Sequence, residues 1–112
     1  MMKRMTQNKL VKTNQETAFE EKAIILKKLM PTLRKNYSIR ELGIFGSYVS
    51  GNHKSTSDID LLVEFQTPPS FFGFIRLENF LSQKLGVKAD LVMKDTLKPA
   101  ISRRVLSELV QI

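Results

Sequence analysis

The sequence lacks cysteine, which excludes disulfide bonds and thiolate zinc sites from the protein. This absence fits a reducing compartment, and we expect the protein to be cytoplasmic. No run of about 18 apolar residues is present, so no membrane-spanning segment is expected. The basic start of the chain is not followed by an apolar segment that would serve as a signal core. Internal repeats and low-complexity tracts are absent as well.

Size and charge narrow the class of protein. A chain of 112 residues, 42% hydrophobic and 26% charged, suits one globular domain. Its 18 basic and 11 acidic side chains give a formal charge of +7, which favours polyanionic ligands such as nucleotides or nucleic acid. A well-solvated surface explains the charge equally well, because the basic residues are scattered along the chain. Nucleic acid is an open alternative, although no platform of interleaved basic and aromatic residues is visible.

Hydrophobic periodicity predicts three helices and three strands. Helical spacing covers 15–36, 71–85 and 97–111, and strand patterns cover 39–45, 58–63 and 87–93. Asn14 can cap the first helix, and Pro31 either kinks it or starts a second short turn. Residues 1–14 are polar and aperiodic. We expect them to form a flexible N-terminal segment ahead of one domain over 15–112.

The order of these elements predicts the fold class. Helices and strands are interspersed, which is typical of an α/β or α+β domain with helices packed on a sheet. The link between Gly46 and Asp58 is too short for a crossover helix with its loops. We therefore expect a small mixed β-sheet that is not wholly parallel.

Two carboxylates at the second strand suggest a metal site. Asp58 and Asp60 are two residues apart, so their side chains point to the same face of a strand. Adjacent carboxylates repel each other and need a compensating cation. Mg²⁺ is the natural candidate, because it binds one or two carboxylates together with waters and substrate phosphates. A solvated charge pair at a strand end is the alternative interpretation.

Two further features extend this candidate site. Gly46-Ser47 follows a strand and opens a turn, where backbone N–H groups and the Ser47 hydroxyl can face a phosphate. Asp90 lies on the third strand and adds a third carboxylate if that strand adjoins the second. Three clustered carboxylates suit a two-metal phosphoryl-transfer site. The alternative interpretations are a Gly-Ser turn that binds no ligand and, for Asp90, a surface charge at a strand end.

The combination of these motifs is more specific than its parts. Gly46-Ser47, ten intervening residues, Asp58-Ile59-Asp60 and a later Asp90 resemble the minimal nucleotidyltransferase family of the polymerase-beta-like superfamily. The flanking sequences LGIFGSY, at 42–48, and SDIDLLV, at 57–63, resemble the two signature blocks of that family. The resemblance extends over about residues 20–112.

The resemblance implies a role for each motif residue. Gly46 and Ser47 would bind the phosphates of ATP or another NTP, and Asp58 and Asp60 would bind Mg²⁺. Asp90 would be the third catalytic carboxylate and would help to bind a second metal ion. Members often carry a basic residue before the glycine that closes the turn, whereas Ser50 stands there in this chain. We interpret the nearby Lys54 as a solvated loop residue.

The resemblance also implies a reaction and a partner. The expected reaction is Mg²⁺-dependent transfer of a nucleoside monophosphate, AMP if the donor is ATP, to a hydroxyl group. Short members of the family pair with HEPN-domain toxins, act as antitoxins and can modify a tyrosine of the toxin. Two alternatives are a non-catalytic antitoxin that neutralises its partner by contact and an enzyme that adds nucleotides to RNA. The sequence contains no recognisable RNA-binding element.

Other side chains near these motifs are assigned structural or surface roles. We expect His53 to be an exposed loop residue, Tyr48 to pack beneath the turn, and Glu64 to lie outside the metal site. The second helix carries four phenylalanines, and core packing is expected for most of them: Phe71, Phe72, Phe74 and Phe80.

Overall fold

The computed structural model describes residues 13–112. The predicted flexible segment over 1–14 falls mostly on residues 1–12, which lie outside the described part of the chain. Within the described residues, no helix is both long enough and apolar enough to cross a membrane.

Helices and strands alternate along most of the described chain. The helices are α1 (Asn14–Tyr37), α2 (Ser47–Ser50), α3 (Phe71–Leu85) and α4 (Pro99–Glu108). The strands are β1 (Ile39–Phe45), β2 (Ile59–Phe65), β3 (Ala89–Met93) and β4 (Val110–Gln111), with a 3₁₀ turn at Lys94–Thr96. The predicted bounds of β1 and α3 are confirmed.

Helix α1 begins one residue earlier than predicted, because Thr13 caps it in place of Asn14. The Thr13 side chain accepts from the Glu16 N–H at 3.0 Å, and the Glu16 carboxylate accepts from the Thr13 N–H at 2.9 Å. This reciprocal pair satisfies two N–H groups at the helix end. Pro31 lies within the helix and does not end it. Pro31 and Lys27, whose carbonyl Pro31 cannot bond, are both exposed to solvent.

The four strands form one mixed sheet in the order β3-β2-β1-β4. Strand β1 is antiparallel to β2 and to β4, whereas β2 and β3 are parallel. The expected mixed sheet is therefore confirmed. Strand β4 was not predicted, because the apolar pattern over 97–111 continues to the end as a helical one. The helix instead ends at Glu108, and the chain then pairs with β1.

Helices α1 and α3 cover one face of the sheet and build the main core. Fully buried leucines from both helices, including Leu26, Leu33 and Leu77, pack in one cluster with Ile44 and Leu61 from the strands. The opposite face carries the alternate residues of the same strands. That face receives the polar side chains of β2 and β3.

The phenylalanines of α3 divide into two pairs. Phe74 and Phe80 pack against the core as expected. Phe71 and Phe72 are 73% and 70% exposed, so the prediction that core packing accounts for most of the four is wrong. Both lie in the first turn of the helix. Their rings pack edge to face, with centroids 5.7 Å apart.

Candidate active site

Strand pairing brings the predicted carboxylates together. In the parallel pair β2 and β3, Asp60 is the register partner of Asp90, so both side chains point to the same face of the sheet. Asp58 directly precedes β2, and the N–H of Ile59 donates to the carbonyl of Lys88 at 2.9 Å. The adjacency of the second and third strands, on which the third carboxylate depended, is confirmed.

The end of β1 lies beside the same carboxylates. Phe45 is the antiparallel partner of Asp60, and Gly46 follows it with a φ of 78° and a ψ of −147°. A Cβ atom at Gly46 would collide with Oδ2 of Asp60. Glycine is therefore needed here both for its backbone conformation and for the close approach of a carboxylate.

In the turn after Gly46, two backbone N–H groups donate no hydrogen bond to a carbonyl of the turn. The N–H groups of Val49 and Ser50 both donate to the Gly46 carbonyl, at 3.0 and 3.1 Å. The N–H groups of Ser47 and Tyr48 precede this pattern, as the first N–H groups of any helical turn do. Such groups suit an anionic ligand, and the predicted phosphate turn has this form.

The electrostatic environment of Asp60 is unfavourable for its charge. Burial raises the pKa of Asp60 above its ordinary value of 3.8, and the negative charges of Asp90, Asp58 and Glu108 raise it further. Asp58 is more exposed and lies 4.0 Å from the ammonium group of Lys88. Of these carboxylates, Asp60 at the centre of the site therefore has the greatest need for a compensating cation.

Glu108 belongs to this site and was missed by the sequence analysis. Its Oε1 atom accepts a hydrogen bond from the Gly46 N–H at 3.1 Å. Glu108 is the last residue of α4, and the return of the chain through β4 brings it over β1. No motif marks this residue, since its position depends on a helix end and a two-residue strand that periodicity did not predict.

The donor set fits a hard divalent cation. It consists of carboxylate oxygens whose mutual repulsion a cation would relieve, and such ligands are preferred by Mg²⁺. Asp58 and Asp60 would hold the ion, with Asp90 facing it from the neighbouring strand. Across residues 13–112, no group of three or more His, Cys, Asp or Glu side chains is arranged so that it could hold a metal ion by itself. Bound waters and substrate phosphates would therefore complete the coordination shell.

His53 contradicts its predicted exposure. It is only 6% exposed and its ring stacks on that of Tyr48, with centroids 3.9 Å apart and planes 6° from parallel. Its Nδ1 atom is buried and has no hydrogen-bond partner in the described part of the chain. Burial also raises the pKa of the Tyr48 hydroxyl. The expected packing of Tyr48 is confirmed, and His53 is the ring that it packs against.

The remaining polar residues of the loop and strand lie where the sequence analysis expected them. Ser50 and Lys54 are both exposed, and the Ser50 hydroxyl donates to the Ser47 carbonyl at 3.4 Å. Glu64 lies four residues beyond Asp60 and is 3.9 Å from Arg40 and from Lys94. The Glu64 carboxylate therefore lies near basic side chains, and its negative charge is compensated there.

Comparison with known sequences gives matches over most of the chain. A sequence profile of the nucleotidyltransferase domain matches residues 26–112. Protein adenylyltransferase MntA from Thermococcus cleftensis is 46% identical over 93 residues, which make up 83% of this chain and 94% of the relative.

Comparison with solved structures gives matching folds. A structure assigned to a minimal nucleotidyltransferase superposes with a TM-score of 0.68 and 28% identity, over 89% of this chain and 97% of that one. A toxin–antitoxin crystal structure with AMP-PNP superposes with a TM-score of 0.65 and 26% identity, over 76% of this chain and 69% of that one. These similarities confirm the fold that the motif pattern predicted.

Proposed function

Because the chain belongs to the nucleotidyltransferase domain family and is a nucleotidyltransferase, we propose that it transfers AMP from ATP to a hydroxyl group in a Mg²⁺-dependent reaction. The observation that carries this proposal is the register of β2 and β3, which pairs Asp60 with Asp90 beside the Gly46 turn. A phosphate-binding turn and a carboxylate group on adjacent strand ends are the two parts that phosphoryl transfer needs.

Each part of the site has a separate role in the proposal. The Ser47 hydroxyl and the N–H groups of the turn bind the triphosphate. Asp58 and Asp60 hold Mg²⁺, and Asp90 helps to bind a second ion. When bound, Mg²⁺ neutralises charge on the phosphate oxygens during transfer. The raised pKa of Asp60, which reflects burial and the negative charges around it, supports the binding of a cation beside these carboxylates.

The reaction needs only one proton acceptor from the protein. The acceptor hydroxyl oxygen forms a bond to the α-phosphorus, and the bond from that phosphorus to the bridging oxygen breaks, which releases pyrophosphate. Asp90, the more exposed of the two carboxylates paired in strand register, takes the hydroxyl proton. General base catalysis of this kind contributes about 10²–10⁴-fold to the rate.

For the acceptor, we propose a tyrosine hydroxyl on a HEPN-domain toxin, with this chain as the antitoxin. The tyrosine and the HEPN domain come from the family resemblance, and two similarities support a protein acceptor and a role as antitoxin. The relative from Thermococcus cleftensis is named a protein adenylyltransferase, and a similar solved structure is a toxin–antitoxin complex with a nucleotide analogue. The positive charge of the chain, +7, would favour both ATP and an acidic partner surface.

A contact-only antitoxin is the second candidate function. The observation that favours it is Ser50, which stands where related chains often carry a basic phosphate ligand. Among residues 13–112, the exposed Ser50 side chain bonds only to its own turn and to Asn52. Neutralisation of the partner by Asp58→Ala and Asp60→Ala variants would support this candidate, whereas loss of neutralisation would exclude it.

Nucleotide binding with and without Mg²⁺ tests the proposed function. Isothermal titration calorimetry of the parent chain should give ATP binding that strengthens at least about tenfold when Mg²⁺ is added. Asp58→Ala should lose this gain. Asp95→Ala, which removes an exposed carboxylate from the 3₁₀ turn after β3, should keep it. Equal Mg²⁺-dependent binding in all three proteins would contradict the proposal.

A further inference from the structure

The carboxylate of Glu108 accepts from the N–H of Gly46, which directly precedes the two available N–H groups of the proposed phosphate turn, those of Ser47 and Tyr48. Its Oε1 atom lies 3.1 Å from the Gly46 nitrogen, and both residues are partly buried. The contact joins two elements that are 62 residues apart in the chain. It is therefore a tertiary contact made by the fold and not a local turn interaction.

Glu108 stands in an electrostatically unfavourable place. It is the last residue of α4, where the negative end of the helix dipole disfavours an acidic side chain, and the last turn contains no basic residue. Its charge also acts on Asp60. Within the described residues, no Lys, Arg or His lies at ion-pair distance from Glu108. In the described part of the chain, the Gly46 N–H is the one group that hydrogen-bonds to this carboxylate.

We propose that Glu108 is an internal competitor for the triphosphate, and that it sets the affinity of the protein for nucleotide. This inference rests on the proposed function, and it takes the Gly46 N–H to bind phosphate together with the N–H groups of Ser47 and Tyr48. A carboxylate and a phosphate present the same kind of anionic oxygen to a backbone N–H. Both cannot accept from the Gly46 N–H in the same place, so a nucleotide must displace Glu108 to use it.

The structure allows this displacement without unfolding of the helix. The Glu108 side chain has its own rotatable bonds, so a change of rotamer is enough to free the N–H. Helix α4 buries only one side chain, Val105, and it continues into a β4 strand of two residues. Leu109, the next residue, packs over Gly43 and keeps the backbone at this point close to β1.

Displacement of a carboxylate acts on phosphate binding and not on recognition of the base. Loss of Glu108 should therefore strengthen the binding of inorganic triphosphate and ATP by similar factors. Adenosine, which has no phosphate, should gain nothing. A hydrogen bond to a charged group of this kind corresponds to a change in affinity on the order of tenfold.

Three variants test the inference in the full chain. Glu108→Ala removes the competitor, and Glu108→Gln keeps an oxygen acceptor but removes the charge. Glu64→Gln is the matched control, because it makes the same change of charge on the same face of the sheet, four residues from Asp60 along β2. With Mg²⁺ present, calorimetry should give about tenfold tighter ATP and triphosphate binding for Glu108→Ala. Glu108→Gln should give a smaller gain, and Glu64→Gln should stay within about twofold of the parent.

Unchanged or weaker ATP binding in both Glu108 variants would overturn the inference. If the parent then still shows Mg²⁺-dependent binding that Asp58→Ala abolishes, the proposed function stands and only the role of Glu108 is wrong. Absence of ATP binding in every protein would instead contradict the nucleotide site itself, and the inference with it.

Hydrogen exchange gives a second readout that needs no ligand. The Gly46 amide should exchange faster in Glu108→Ala than in the parent, while amides of the β2–β3 ladder such as that of Leu61 stay protected. An unchanged Gly46 exchange rate would show that Glu108 does not hold this N–H in solution, and would also overturn the inference.

Discussion

The two faces of the β-sheet differ in what their side chains do. On the face covered by α1 and α3, Ile59, Leu61 and Val63 of β2 are buried in the main core. On the other face, Asp60 and Glu64 flank the buried Leu62, and Glu108 at the end of α4 is close enough for its charge to act on Asp60. Successive side chains of β2 thus point either to the core, which stabilises the fold, or to the site, where the charge of Asp60 opposes folding.

The comparison shows how a small domain can hold like charges together. The apolar face supplies the free energy that fixes the strands, and strand register then places Asp60 beside Asp90. The ionised carboxylate of Asp60 is unfavourable for folding without a cation, as its raised pKa indicates. Side chains that are held in position at a cost in stability are typical of functional sites.

The largest effect is expected from loss of a core side chain. Leu61→Ala should lower the free energy of unfolding by about 4 kcal/mol, because Leu61 is fully buried in the main cluster. Leu62→Ala is the matched control on the opposite face. Leu62 is buried but lies outside that cluster, so about 2 kcal/mol is expected. Urea unfolding measures both. An equal or larger loss for Leu62→Ala would contradict the assignment of the core to one face.

The next effect concerns the glycine at the edge of the charged face. Gly46→Ala should lower the free energy of unfolding by about 3 kcal/mol and abolish Mg²⁺-dependent ATP binding, because a methyl group there would displace Asp60. Gly51 also has a positive φ, of 80°, but no atom lies within 4 Å of the place that an added methyl group would take. Gly51→Ala should therefore lose about 1 kcal/mol and keep ATP binding. Loss of ATP binding in both variants would mean that backbone strain, and not displacement of Asp60, explains the loss of binding in Gly46→Ala.

A smaller effect with the opposite sign is expected at Asp60. Its pKa is raised in the folded protein, so the ionised form destabilises the fold above the ordinary value of 3.8. Without metal at pH 7, Asp60→Asn should therefore raise Tm by a few degrees, and this gain should vanish as the pH falls below 3.8. Asp58→Asn should change Tm less, since it removes both the repulsion between Asp58 and Asp60 and the exposed ion pair with Lys88, and these two effects oppose each other.

Mg²⁺ with ATP should reverse this order of stability. The ligands should stabilise the parent but not Asp60→Asn, because a protein is stabilised by what binds its folded state. Differential scanning calorimetry measures both effects. A lower Tm for Asp60→Asn in the absence of metal would contradict the description of the charged face as unfavourable for folding.

The smallest effect is expected at the far end of the charged face. Glu64→Gln should change the free energy of unfolding by less than about 1 kcal/mol, because its ion pairs with Arg40 and Lys94 are 3.9 Å long and partly exposed. Thermal or urea unfolding checks this value. A loss as large as that of Leu62→Ala would mean that charges on this face contribute directly to stability.

The sequence predicted those parts of the molecule that have a local signal. Strand β1 and helix α3 have clear periodicity and clear ends, and both were predicted with their observed bounds. The motif spacing also predicted that Asp58, Asp60 and Asp90 would meet if the strands adjoined. The assigned roles of these carboxylates stay predictions until they are tested.

Features that depend on tertiary packing were not predicted. Strand β4 has two residues, too few for a period of two to be recognised. His53 is polar and lies in a polar loop, so only its stack on Tyr48 reveals that it is buried. Glu108 reaches Gly46 because the helix ends there and the chain returns to β1, and no property of residues near 108 encodes that return.

Transfer of labelled AMP is the most direct test of the central claim. The chain would be incubated with Mg²⁺, ATP labelled at the α-phosphate and a HEPN-domain protein as the proposed partner, with Asp90→Asn compared with Asp95→Asn. We predict that the parent and Asp95→Asn label the partner, whereas Asp90→Asn binds ATP but labels it at least about 100-fold more slowly. Equal labelling by Asp90→Asn and the parent would contradict the claim that the paired carboxylates of β2 and β3 form the catalytic site.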